Sequence, residues 1–281
     1  TALAPGDMER WHAGGTIGIL AAKAKAEGPV VRDRLSVAVT ARRSYVDAFL
    51  QMVPQYRGTV MNFYDVTAKL RFIPRRGDIL DVSFIISHDN MAIDRLMGMY
   101  WGNLGGAVNW TARAGEKLTF TTTGAVTDYS PKMSMTMMNI DQEMTQYIRD
   151  FSLSEKANWA VADGHLIEFG LRSQLLRVKS AEMRLRGTDQ KEIRSGWQNA
   201  LWASYDGTFG ERWGISAGAR LSVFSAMTGR RFREFAAIGE DAPSFSKKTY
   251  VDVEPRVSVK YSVTPCHNVK IGAGAATQNL H

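Results

Sequence analysis

Between Asn62 and Asp89 the chain reads NFYDVTAKLRFIPRRGDILDVSFIISHD, and apolar residues alternate with polar ones. Tyr64, Val66, Ala68, Leu70 and Phe72 share one phase, with Asp65, Thr67, Lys69 and Arg71 on the other. After the PRRGD segment at 74–78 the alternation resumes as Leu80, Val82, Phe84 and Ile86 against Asp81, Ser83 and Ser87. A two-residue period belongs to strands with one apolar and one polar face. Proline and glycine between two such runs predict a hairpin.

The same unit recurs along the chain. Strands are expected over 14–26, 35–45, 62–72, 80–89, 101–113, 118–128, 146–159, 165–179, 196–209, 213–224, 249–263 and 269–278. Gly28-Pro29, 74–78, 114–117, 160–164, 210–212 and 264–268 make short connections, whereas 46–61, 90–100, 129–145, 180–194 and 225–247 make long ones. The methionine-rich 129–145 reads as flexible loop filling rather than a metal-binding cluster. Many of these strands have ten or more residues, against about five or six in soluble domains. Strands that long, with short and long connections in strict alternation, predict an antiparallel all-β transmembrane barrel with short periplasmic turns and long extracellular loops. Aromatics near the strand ends fit two interfacial girdles: Tyr45, Phe63, Tyr64, Tyr100, Trp101, Tyr129, Trp159, Trp197, Phe209, Trp213, Phe224, Tyr250 and Tyr261.

Composition narrows the alternatives. The 281 residues are 44% apolar, enough for a core, yet no apolar run is long enough for a membrane helix. The net charge of +7 is scattered rather than gathered in a stripe, which argues against a nucleic-acid partner. Cys266 stands alone, so no intrachain disulfide or cysteine-based zinc cluster forms. His12, His88, His165, His267 and His281 lack metal-ligand spacing. The GISAG run at 214–218 matches a nucleophile elbow, but it lies inside an alternating strand where that turn has no place. No cofactor motif survives this reading.

Five motifs in order carry a resemblance: EGP at 27–29, ARRSYVD at 41–47, FYDVTAKL at 63–70, WGN at 101–103 and EPR at 254–256. Together they resemble the barrel of TonB-dependent outer-membrane receptors of the Bacteroidetes type, over nearly the whole chain. The resemblance implies a bacterial outer-membrane barrel of about 22 strands around a plug domain, of which this chain supplies about twelve. It implies active import of a scarce nutrient (siderophore, glycan, peptide or similar) energised through a TonB complex. Further expected partners are outer-membrane lipid, lipopolysaccharide and a surface lipoprotein. No plug or partner-binding box precedes Gly14, and the ending at Gln278 to His281 lacks an aromatic terminus. The expectation is therefore a barrel fragment without its plug, first strand and last strands. A barrel enzyme of protease or phospholipase type and a passive porin are the alternatives.

Arg42, Asp65, Lys69, Asp81, Asn103, Asn109, Arg172, Arg220, Glu254 and Arg256 lie on the phase opposite the apolar one. They are expected to line the lumen and bond to the plug and barrel wall, with substrate contact as the second role. Arg230, Arg231, Arg233 and Glu234 are expected as solvated loop charge.

Overall fold

The computed structural model describes residues 3–93, 96–137, 140–183, 193–227, 248–264 and 266–277. Its strands are β1 (His12–Ile17), β2 (Ala21–Val31), β3 (Leu35–Ser44), β4 (Thr59–Phe72), β5 (Ile79–Ile93), β6 (Met97–Ala114) and β7 (Leu118–Tyr129). They continue as β8 (Lys132–Met137), β9 (Ile140–Ala162), β10 (His165–Met183), β11 (Ile193–Phe209), β12 (Trp213–Met227), β13 (Lys248–Thr264) and β14 (His267–Gly274). All belong to one 14-stranded sheet in chain order, except that β8 sits off the path and pairs with β6 and β9. Each described pairing is antiparallel, as in the β4–β5 and β9–β10 ladders. The α-helix is short, Val46–Leu50, and no helix of the described residues is long and apolar enough to cross a membrane.

The all-β antiparallel architecture is as the alternation predicts, but fourteen strands replace the expected twelve. Residues 14–26 are a hairpin rather than one strand: Gly18 N–H donates to Ala21 O at 2.9 Å, and β1 pairs back along β2. Ile17, Ile19 and Leu20 flank Gly18, so no polar turn residue marks the break. The methionine-rich segment is likewise ordered, because β8 finds partners on two sides. Residues 90–100 are mostly strand, since β5 runs to Ile93 and β6 starts at Met97. Crossing a bilayer takes about 9–11 tilted residues, so strands such as β9, with 23, continue well beyond that span. Several of the expected long loops are these extensions.

Register separates two faces. One row on the apolar face reads Phe72, Leu80, Trp110, Thr122, Glu155, Leu171, Leu201, Leu221 and Val253 across successive strands. Most of its apolar side chains stay uncovered by protein; Leu171 is 49% exposed and Leu201 58%. Among the described residues the buried hydrophobic ones are only Ala38, Ala157, Ala200 and Phe224. The surface of 19996 Å² far exceeds the roughly 12,000 Å² of a compact monomer of this mass. A one-layer wall, not a packed core, has this surface. Glu155 is the carboxylate within that apolar row, and Thr122 Oγ1 donates to it at 2.5 Å.

The girdle expectation holds for some aromatics and fails for others. Register sets Tyr64, Trp159, Trp197, Trp213 and Tyr261 on the apolar face, with the Trp213 and Tyr261 rings 4.6 Å apart. Phe63, Trp101, Tyr129, Phe224 and Tyr250 fall on the polar face. Nearness to a strand end does not fix phase, and a shift of one position turns a ring to the other face.

The short turns share a device. Among the described residues, positive φ occurs at Asp33, Gly77, Gly115, Gly164 and Gly210, all of them in turns at one end of the sheet. Glycine reaches this region without the steric strain that a Cβ adds. Asp78 then ties two neighbouring hairpins: it accepts from Arg75 Nε at 2.7 Å and from the Arg113 backbone N–H at 3.2 Å. Gly210→Ala should cost about 1–2 kcal/mol from backbone strain alone. Gly164→Ala should cost more, because its Cβ would stand 2.1 Å from Thr208 Oγ1. Urea unfolding in detergent, followed by tryptophan fluorescence, ranks the two, and equal losses would contradict the packing argument.

Burial pushes the Asp78 carboxyl up, but Arg75 and the Arg113 N–H together outweigh it, so its pKa sits below the ordinary 3.8. A depressed carboxylate stabilises the fold above the unfolded pKa, and that contribution is lost as pH falls through the folded one. Acid unfolding of wild type should therefore show a larger stability loss below about pH 4 than Asp78→Asn shows. Parallel acid titrations of the two proteins check this.

Candidate functional site

The polar face is built by the same register that builds the apolar one. A single row across it reads Arg71, Asp81, Asn109, Thr123, Ser154, Arg172, Ala200, Ser222 and Asp252. Pairing and strand phase set all ten sequence-selected residues on this face: Arg42, Asp65, Lys69, Asp81, Asn103, Asn109, Arg172, Arg220, Glu254 and Arg256.

They do not converge on one centre. Their bonds run mainly between neighbouring strands, as local crosslinks of the wall. Arg42 Nε meets Asp65 Oδ2 at 2.6 Å, and its guanidinium lies over the Phe63 ring at 4.9 Å. Asp81 anchors the tightest group, accepting from Arg71 Nε at 2.7 Å, from a second Arg71 nitrogen at 2.7 Å, and from Lys69 Nζ at 3.0 Å. Lys69 is 8% exposed, and its Nζ also donates to Leu3 O at 2.9 Å. The segment before β1 therefore begins on the polar face, beside Lys69. Asn103 donates to Ser87 Oγ at 3.0 Å, and Thr123 donates to Asn109 at 3.2 Å. Arg220 lies 4.0 Å from Glu254 and donates to Ser222 Oγ at 3.1 Å, while Thr277 Oγ1 donates to Glu254 at 2.8 Å. Arg172 and Arg256 are exposed and make no hydrogen bond or ion pair among the described residues.

Sequence reasoning passed over several members of this network. Arg71 supplies the bidentate contact to Asp81. Glu168 joins Lys156 at 3.3 Å and accepts from Trp202 Nε1 at 3.1 Å. Arg71 shares the phase of Asp65 and Lys69, a signal that could have identified it. Glu168 and Trp202 meet only through the β10–β11 pairing.

Two other candidate chemistries find their places. The GISAG run lies inside β12, where Ser216 donates to Asp206 across the ladder. A nucleophile elbow needs a strand-to-helix turn, and the chain continues as strand to Met227. Among the described residues no three His, Cys, Asp or Glu side chains come together in a metal-binding group. His281 and the loop residues Arg230, Arg231, Arg233 and Glu234 lie outside the described residues. A hollow of about 410 Å³ opens beside Asn103, lined also by Ile85, Ser87, Gly105, Thr127 and Tyr129.

Asp81→Ala leaves Lys69 and Arg71 without their shared anion, and should cost about 3 kcal/mol. Lys69→Met leaves the bidentate Arg71–Asp81 pair intact and should cost about 1 kcal/mol or less. Unfolding in detergent measures both, and a Lys69 loss as large as the Asp81 loss would remove the carboxylate from the centre of the group.

No family model matches the chain, and no curated relative matches it in sequence. Solved structures do resemble it in fold. The copper transporter OprC superposes with a TM-score of 0.71 at 12% identity, covering 96% of this chain and 47% of OprC. The alcaligin outer-membrane receptor FauA of Bordetella pertussis gives 0.67 at 13% identity, covering 94% and 43%. The unliganded ferric citrate transporter FecA gives 0.65 at 10% identity, covering 92% and 42%. The chain thus spans under half the length of each of these three. At such identities the likeness is one of fold, and this chain has the fold of part of the β-barrel wall seen in these transporters and receptors.

Proposed function

We propose that the chain is part of the wall of a TonB-dependent receptor barrel in the bacterial outer membrane, acting in the import of a scarce nutrient. One observation carries the reading: a single sheet with an uncovered apolar face and a polar, ion-paired face. Water does not support so large an apolar surface on a folded monomer. Hydrocarbon supports it once every backbone N–H and C=O is paired in the sheet, as in a barrel. The apolar face then meets lipid and the polar face meets the lumen. OprC, FecA and FauA are by name a copper transporter, a ferric citrate transporter and an alcaligin receptor. Those cargoes favour a metal or metal chelate as the nutrient class.

In this reading the ten polar-face residues serve the lumen. The paired ones hold the wall in register. Arg172 and Arg256, each without an anionic partner among the described residues, are the ones that meet a plug domain or a passing anionic cargo. The plug, the remaining strands and the contact with the energy-transducing TonB complex belong to segments beyond these residues. Partnership with lipopolysaccharide and a surface lipoprotein also belongs to this proposal.

Expression in an outer-membrane background should give a protein that sediments with that membrane and migrates faster on gels before heating than after. Arg172→Ala with Arg256→Ala should lower uptake of a metal chelate several-fold while leaving that migration unchanged. Recovery as a soluble protein, with no heat-dependent migration, would sink the barrel reading.

A further inference from the structure

The polar face changes character toward the end opposite the short turns. Asp65, Ser87 and Asn103 form one register row across it. Two rows further out, Met61 pairs with Met91, Met91 with Met99, Met99 with Met133 and Met133 with Met144. Five adjacent strands, β4, β5, β6, β8 and β9, thus set a methionine at the same level of one face. Met97 and Met135 pair with each other in the row beyond. Met61 is 40% exposed and the other four of the row are half-buried, so the row is lodged in the wall without being sealed by it.

Filling space does not explain the choice of residue. Met61, Met91, Met97 and Met99 are all the methionines of β4, β5 and β6, and every one lies on the polar phase. The opposite phase of the same strands takes aliphatic side chains such as Val66, Leu70, Ile86 and Leu104 instead. What methionine adds to bulk is a thioether, a soft donor that selects soft metal ions such as copper(I). Neighbouring strands stand about 4.8 Å apart, so sulfurs on adjacent strands can take one ion from either side. The row holds no carboxylate, imidazole or thiol, the donors that borderline and hard metals prefer or share. One carboxylate stands beside it: Asp89 lies in the intervening row, with Phe63 and Trp101 as its register partners. Asp89 is half-buried and makes no hydrogen bond or ion pair among the described residues. Its negative charge, uncompensated by a protein cation, favours a metal cation at the neighbouring sulfurs.

We infer that Met61, Met91, Met99, Met133 and Met144 form a binding site for copper(I), with the thioethers as ligands and Asp89 as the compensating charge. This rests on the reading that the polar face lines the lumen of an importing barrel, and it names the cargo as a soft monovalent ion. Two or three neighbouring sulfurs hold one such ion, so the row offers overlapping positions along it. A passage needs binding that admits an ion at several sites without trapping it at one. Thioethers also bind without releasing a proton, unlike thiols and imidazolium groups.

Silver(I) is the probe, because it is soft and monovalent like copper(I) and does not oxidise in air. The full chain is titrated in detergent and chloride-free buffer, in a Cys266→Ser background that removes the exposed thiol. That parent should bind silver(I), and X-ray absorption should show two or more sulfur neighbours. M61L/M91L/M99L/M133L/M144L keeps the apolar bulk and should bind on the order of a hundredfold more weakly. M8L/M52L/M227L, which alters methionines outside the row, should bind as the parent does. Asp89→Asn should bind about tenfold more weakly with the sulfur neighbours unchanged, and unaltered affinity would remove Asp89 from the site. Affinity should hold between about pH 7 and about pH 5.5, because no ligand has a proton to regain. Undiminished binding by the five-leucine variant, an equal loss in the control variant, or nitrogen in place of sulfur around the silver would overturn the site. Displacement by an equal concentration of zinc(II) would overturn its preference for soft ions. Heat-dependent migration is scored on every protein. Its absence from the parent counts against the barrel reading, whereas normal migration without row-dependent silver binding counts against the site alone.

Discussion

Backbone hydrogen bonding is the constraint on which this structure depends. Each strand from β2 to β13, β8 aside, has ladder partners on both sides, so peptide groups are paired without help from water. In hydrocarbon an unpaired N–H or C=O costs several kcal/mol, and a continuous antiparallel sheet is one of the few arrangements that avoid that cost. The sheet needs no second layer, which is why the buried hydrophobic residues are so few. Long β-ladders carry the stability that a core supplies elsewhere.

Because the wall is one layer thick, each residue belongs to one of two environments, and strand phase assigns it. The polar face meets this with short cross-strand bonds, such as Arg42 with Asp65 and the Lys69–Asp81–Arg71 group. These pairs neutralise charge locally, so that few cations remain for other work. Arg172 and Arg256 stand out against that background. On the apolar face the exceptions are as informative. Glu155 is satisfied in part by Thr122, while Arg149 and Arg177 stand opposite each other with their charge only partly balanced.

The alternation along the chain was enough to read the all-β class, the order of most hairpins and the face on which each of the ten selected polar residues lies. A side-chain period of two is local, and it survives whatever the rest of the chain does. Where local pattern failed, the missing information was long-range. The methionine-rich segment became β8 because β6 and β9 stood ready on either side of it. Residues 14–26 split into two strands because β1 could fold back on β2, with no turn chemistry beyond Gly18 to announce it.

The sequence by itself determined which residues share the apolar face of each strand and which share the polar one, since that depends only on phase along the strand. The tertiary structure alone decided which residues meet, because register between strands is set by turn geometry and by the whole ladder. Arg71 reaching Asp81, Trp202 reaching Glu168, and Arg149 facing Arg177 are all products of register. No pattern within a single strand contains them.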